Sequence, residues 1–292
     1  MRKFLILLIA VISAALLFGS VEIREGMWWE YTPNNSYITY QAPDFVVKAA
    51  KLKVAVLGKL DILDKDFYAV AYIYSGSWGK FVRMALLDSE TFYSIPDISL
   101  AKFVAPGKVK ITEISFPLSL GKEWEVVKGI RAKVIDKEEI NVRGESLTGW
   151  VIEYSGGVNR KVLFCEKLAM YAWIKSGVND LKLQNYGIED TQKLISEVED
   201  AFYSMIKVAP YSALSTLDIL EKFNLTEEFA EKLKEEIMKS LQKNFCRIDI
   251  NKVKPMLTAD PTSCITECAS YCYTNYILCV MGCSYFDPYC AS

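Results

Sequence analysis

From about residue 26 to residue 186 apolar and polar positions alternate with a period near two, and the residue types are those of strands. Residues 67–74 (FYAVAYIY) are β-branched and aromatic, and residues 80–87 (KFVRMALL) follow the loop Ser75-Gly76-Ser77-Trp78-Gly79. Two such runs around a glycine-bearing loop predict a β-hairpin. Asp88-Ser89-Glu90 supplies a turn before a strand over 91–95, and Pro106-Gly107 precedes a strand through Val109, Ile111, Glu113 and Ile114. Further strands are predicted over 26–32, 37–40, 46–57, 124–127, 132–135, 139–142, 149–154, 161–165 and 170–175. Short strands at this spacing predict an antiparallel β-rich domain.

After Gly187 the period becomes 3.6. Residues 189–207 place Leu194, Ile195, Val198, Phe202, Met205 and Ile206 on one helical face, with Asp190 as N-cap and Ala209-Pro210 as the stop. A short helix over 211–223 follows. A third, capped by Thr226, turns Phe229, Leu233, Ile237, Met238 and Leu241 inward and a Glu/Lys face outward. These stripes read as core contacts. The expected class is α+β: a β domain over 21–187, a helical region over 188–255 and a Cys-rich helical hairpin over 256–292.

Two β stretches echo each other. Tyr72-Ile73-Tyr74-Ser75-Gly76 and Ile152-Glu153-Tyr154-Ser155-Gly156 are offset by 80 residues (154 − 74). Each precedes a basic residue, Lys80 or Arg160, and a second strand. An internal duplication and the general likeness of all hairpins both account for this.

Residues 1–20 (MRKFLILLIAVISAALLFGS) set the compartment. Arg2 and Lys3 precede an apolar run broken only by Ser13, the layout of a secretory signal peptide. The run is shorter than the ~20 apolar residues of a full membrane span. Retention as an N-terminal membrane anchor is the alternative. Either way the protein is expected outside the cell or at its surface. There, eight cysteines predict four disulfides, and the sequons at Asn34 and Asn224 become glycosylation candidates.

Six cysteines lie in the tail, at Cys264, Cys268, Cys272, Cys279, Cys283 and Cys290. Thiols at i and i+4 of one helix have Cβ atoms about 5–6 Å apart, too far for a disulfide, which needs roughly 3.5–4.5 Å. In an antiparallel helical hairpin facing residues share a constant sum of numbers. Cys272 with Cys279 and Cys268 with Cys283 satisfy this, and Asp287-Pro288 absorbs the slip of Cys264 with Cys290. Cys165 and Cys246 are left to pair. A single helix bearing all six thiols in one stripe would instead be an oligomerisation surface, and thiolates alone could also hold zinc or an Fe–S cluster. The tail lacks the Cys-x-x-Cys spacing usual for metal and redox sites, so no metal or cofactor is expected. The facing Cys-x-x-x-Cys segments resemble the α-hairpinin type of disulfide-stapled helical hairpin.

Composition narrows the function. The 292 residues carry 34 Lys+Arg, 36 Asp+Glu and no histidine, for a net charge of −2. Near-neutrality argues against nucleic acid as a partner. Without histidine, Ser-His-Asp and Cys-His catalysis are excluded. Neither GxxxxGK[ST] nor GxGxxG occurs. Carboxylates at Asp136, Glu138, Glu139 and Glu153 leave a glycosidase as a lesser alternative.

Residues 116–124 (FPLSLGKEW) look like the FPLxxGxxW opening of exported β-rich envelope proteins, and strands ending in Tyr154-Ser155-Gly156 and reaching Trp173 continue the likeness. Those proteins resemble the lipoprotein-carrier-like fold. The resemblance implies a curved sheet or half-barrel able to shelter an apolar small molecule. Asn141-Val142-Arg143-Gly144 stands where the family has Val-Pro-Ala-Gly. The expected role is a non-catalytic exported binding or structural module of the cell envelope. The alternative is a membrane-tethered subunit of a surface assembly, with an envelope component as partner. Trp28, Trp29, Trp78, Trp124, Trp150 and Trp173 could line a pocket or form core.

Peptide mapping without reduction is expected to recover Cys272–Cys279, Cys268–Cys283, Cys264–Cys290 and Cys165–Cys246. A link from Cys165 or Cys246 into the tail refutes the ladder.

Overall fold

A computed structural model describes residues 21–244, apart from 35–37, 42–45, 78, 96–97, 106, 108–110, 157–158, 177–179, 210–212, 214–215, 218 and 221–226. Residues 1–20, Asn224, Cys246 and the six tail cysteines therefore lie outside the described residues. So do the expected signal peptide or anchor, three of the four expected disulfides and one partner of the fourth.

The described chain is mostly antiparallel β-sheet with helices following it, as expected for an α+β protein. The strands are β1 (Met27–Pro33), β2 (Ile38–Gln41), β3 (Val46–Ala49), β4 (Lys51–Ile62), β5 (Lys65–Gly76), β6 (Gly79–Asp88), β7 (Ser94–Ile95), β8 (Glu123–Val127), β9 (Ile130–Val142), β10 (Glu145–Ser155), β11 (Arg160–Cys165), β12 (Met170–Lys175) and β13 (Leu181–Ile188). The helices are α1 (Ile98–Val104), α2 (Thr191–Val208) and α3 (Glu227–Asn244).

Eleven strands form one sheet in the order β7-β6-β5-β4-β1-β13-β12-β11-β10-β9-β8, and β2 pairs with β3 in a separate ribbon. The first strand thus sits inside the sheet. It pairs with β4 on one side (Trp29 with Val54) and β13 on the other (Trp29 with Tyr186). Two meanders flank it. Strand β13 and helix α1 add to the elements expected from the sequence, and some expected strands differ in extent or are absent. The strand expected over 46–57 breaks at Ala50 into β3 and β4, and those expected over 132–135 and 139–142 are one strand, β9. The strand expected over 91–95 shrinks to Ser94–Ile95. There the Asp88 carboxylate accepts from the Glu90 amide and the Phe92 amide donates to the Asp88 carbonyl, which makes 88–92 a turn. Residues 111–118 form no strand.

The sheet folds back on itself. Only two residue pairs join β12 to β13, Trp173 with Lys182 and Ile174 with Leu181. Across that short joint the tip of the long β9–β10 hairpin reaches β13. Arg143 donates to the Asn185 side-chain oxygen at 2.8 Å, and the Tyr186 hydroxyl donates to Glu145. At the far edge Phe92, just after β6, packs on Phe164 of β11 with ring centroids 5.3 Å apart. Phe164 is fully buried, a change worth about 2 kcal/mol for a side chain of that size.

Helix α2 lies against β4, β5 and β6. All six residues expected on its inner face are buried. Asp190 caps it, accepting from the Gln192 and Lys193 amides. Its last turn ends at Ala209, as expected. In α3, Leu233 and Ile237 are buried.

Hairpins β4–β5 and β9–β10 turn through two residues each, Leu63-Asp64 and Arg143-Gly144, all with positive φ. The turns lie 80 residues apart (143 − 63), the offset of the Tyr-Ser-Gly echo. Such turns favour Asn-Gly because at left-handed φ a Cβ crowds the following carbonyl oxygen. Leu63 is exposed there at φ 54°. Gly156 has φ 90°, and a methyl on it would run into the Gly129 carbonyl oxygen. Replacing Leu63-Asp64 by Asn-Gly is expected to raise unfolding stability by about 1 kcal/mol. Gly156→Ala is expected to lower it by more than about 2 kcal/mol. Urea midpoints check both.

Candidate functional site

The polar interior is built around residues 111–118, an irregular strap that connects α1 to β8. The Ile114 amide donates to the Thr91 carbonyl beside β7 at 2.9 Å, and the Thr112 amide to the Val126 carbonyl on β8 at 2.9 Å. Residues 112 and 114 are separated by roughly 7 Å of extended chain, so the strap ties both edges of the sheet together. The Trp124 indole donates to the Thr112 carbonyl, and the Lys122 ammonium to the Ser115 and Pro117 carbonyls. Ile114 is fully buried. Phe116 joins Phe92 (5.3 Å) and Phe164 (5.8 Å), and Tyr171 meets Phe164 at 5.7 Å.

Glu113 is the polar centre of the strap. Its carboxylate accepts from Arg160 on β11, and from the Tyr171 hydroxyl on β12 at 3.1 Å. Its carbonyl accepts from the Tyr154 hydroxyl on β10 at 3.1 Å. The Arg160 guanidinium carbon sits 4.0 Å from the Tyr154 ring centroid, close enough for cation–π attraction. The Glu113 side chain is 14% exposed and that of Arg160 28% exposed. Such a pair is screened less than a surface one. Among the described residues two buried side-chain polar atoms have no hydrogen-bond partner, Thr91 Oγ1 and Arg160 Nε. Both belong to residues that hold the strap at Glu113-Ile114. Buried polar atoms are nearly always bonded, so two orphans at one place mark an incompletely satisfied site.

Burial dominates the acid–base behaviour of the phenols. It holds Tyr154 and Tyr171 well above the usual phenol range, with the Glu113 charge adding to the shift. Tyr31, whose hydroxyl donates to the Tyr171 carbonyl at 2.7 Å, is raised for the same first reason. Burial likewise pushes the Cys165 thiol up to about 11, away from the thiolate that metal binding or nucleophilic attack needs. Cys165 is fully buried, and it is the one cysteine among the described residues.

A second feature is an open groove of about 570 Å³ between β4–β6 and α2. Two of its lysines are paired: Lys51 meets Glu30 at 3.0 Å, and Lys53 meets Glu197 at 2.7 Å and Glu189 at 3.3 Å; Lys80 lines it as well.

The remaining sequence candidates disperse. Asp136, Glu138 and Glu139 are exposed along β9, and Glu153 pairs with Lys161 at 2.8 Å on the neighbouring strand. Asn34 is exposed directly after β1. Trp29 is core, with its indole donating to the Leu168 carbonyl at 3.1 Å. Trp28, Trp150 and Trp173 are half-buried, with the ammonium groups of Lys53, Lys137 and Lys175 over their rings. Among the described residues no group of His, Cys, Asp and Glu could hold a metal, and no helix is long and apolar enough to cross a membrane. No family model, curated protein or solved structure matches the chain.

Tyr31, Tyr154 and Tyr171 each have a higher proton affinity folded than unfolded. Their contribution to stability is therefore intact below pH about 10, the unfolded phenol value, and is lost as pH rises toward the folded values. Spectrophotometric titration is expected to show Tyr31, Tyr154 and Tyr171 ionising only together with unfolding. A smooth phenolate titration of all seventeen tyrosines in folded protein contradicts this.

Proposed function

We propose that the protein is a non-catalytic exported binding module of the cell envelope, and that it takes up an apolar chain in the space now filled by the strap 111–118. The carrying observation is the ring cluster of Phe92, Phe116, Phe164 and Tyr171 under an irregular segment. Phe116 comes from the strap, and the other three rings from the sheet and its turns. With Phe116 displaced, the surface left by Phe92, Phe164 and Tyr171 is apolar with few convergent polar groups, as ligand sites are. Most of the strap's hydrogen bonds are made by Thr112, Glu113, Ser115 and Pro117, so a ligand that replaces the side chains of Ile114 and Phe116 alone has only the Ile114 amide bond to Thr91 to disturb between them. The leader at residues 1–20 and the likeness of 116–124 to envelope proteins support the same reading.

Full-length protein purified from an exporting host is expected to carry adducts of lipid or acyl-chain mass in native mass spectrometry. Ile114→Ser, which weakens the strap's apolar seat, is expected to raise uptake of an acyl-chain fluorophore several-fold. Absence of adducts, with no uptake by either form, overturns the proposal.

A further inference from the structure

We infer that Arg160 is the head-group anchor for an amphiphile bearing a carboxylate on an apolar chain, with Glu113 and Phe116 occupying the places of its two ends. This rests on the apolar-chain reading above and adds to it a charge and a contact point.

A guanidinium recognises a carboxylate best side-on, through two parallel N–H···O bonds. Arg160 meets Glu113 through Nη2 and the single oxygen Oε1, which Tyr171 also uses. Its Nε stays buried without a hydrogen-bond partner among the described residues. The strap fixes Glu113 from both sides, through the Thr112 and Ile114 amides and through its own carbonyl on Tyr154. A carboxylate that is not part of that backbone is free to engage Nη2 and Nε together while keeping the Tyr171 hydroxyl. Glu113 is thus an imperfect occupant of the anion position, and a better one can displace it. The Tyr154 ring holds the guanidinium in place from beneath.

The position continues directly into apolar surface. Tyr171 donates to the carboxylate and its ring touches Phe164, which in turn touches Phe92 and Phe116. Along the strap, the carboxylate of Glu113 is followed by buried Ile114 and then Phe116, an anion trailing an apolar segment. That sequence of groups is the chemistry of a fatty-acid-like ligand. One cation at the site matches one negative charge.

Calorimetric titration of the full chain with decanoate and with decanol tests this. Decanoate is expected to bind about ten-fold tighter than decanol, the value of one charged hydrogen-bonding interaction. Glu113→Gln, which weakens the internal competitor, is expected to widen that ratio. Glu113→Gln combined with Arg160→Gln removes both charges together and leaves neither buried alone; there the two ligands are expected to bind alike. Equal binding of both ligands to the wild type and to Glu113→Gln overturns the head-group assignment and leaves the apolar-chain reading standing. A preference for decanoate that survives in the double variant overturns Arg160 as the anchor. Failure of every form to bind either ligand overturns both readings.

Discussion

An antiparallel sheet of eleven strands has two open edges and an apolar face, and each must be covered. In this chain one irregular segment serves both needs. Residues 111–118 hydrogen-bond the turn beside the β7 edge and the β8 edge, and they lay Ile114 and Phe116 onto the sheet. The curling that brings those edges together depends on the thin joint between β12 and β13, where two residue pairs carry the whole connection. A fully paired joint there would oppose the fold-back that lets Arg143 reach Asn185.

The same segment brings a carboxylate into the interior, which sets the character of the site. Arg160 and Glu113 neutralise each other, yet three tyrosines around them shift toward permanent neutrality because water is excluded. The cost of a buried charge is met by pairing, and the residual dissatisfaction sits at Arg160 Nε and Thr91 Oγ1. By contrast the groove beside α2 is rich in charge and open to solvent, with Lys53 shared between Glu189 and Glu197.

Much of the β domain was legible from alternation. The β5–β6 hairpin stands where the glycine-bearing loop put it, and α2 buries the face its 3.6 period marked. β13 escaped notice because its period is broken: the pairing shifts between Glu30 and Tyr31, and Asn185 and Gly187 interrupt the apolar positions. The strand expected at 111–114 failed for a different reason. Its apolar spacing is genuine, but its hydrogen bonds go to two separate edges rather than to one neighbour. The site itself left almost no trace in the sequence. Glu113 lies 47 residues from Arg160 and 58 from Tyr171, and only the Tyr154-Ser155-Gly156 echo with its following Arg160 hinted at that corner. Ion pairs closed by a strap have no local period, so alternation cannot reveal them.

The placement of β1 has a consequence for how the molecule comes into being. Among the described strands it is the first in the sequence, and one of its flanks is filled by β13, the last of them. Until Leu181–Ile188 has emerged, that flank exposes unpaired amides and carbonyls, and the two meanders have no shared centre. Pairing across so long a stretch of chain is slow, because loop closure precedes any reward from contact. A sheet with this topology is completed only once Leu181–Ile188 has been made, so a chain cut before residue 181 leaves one flank of β1 open.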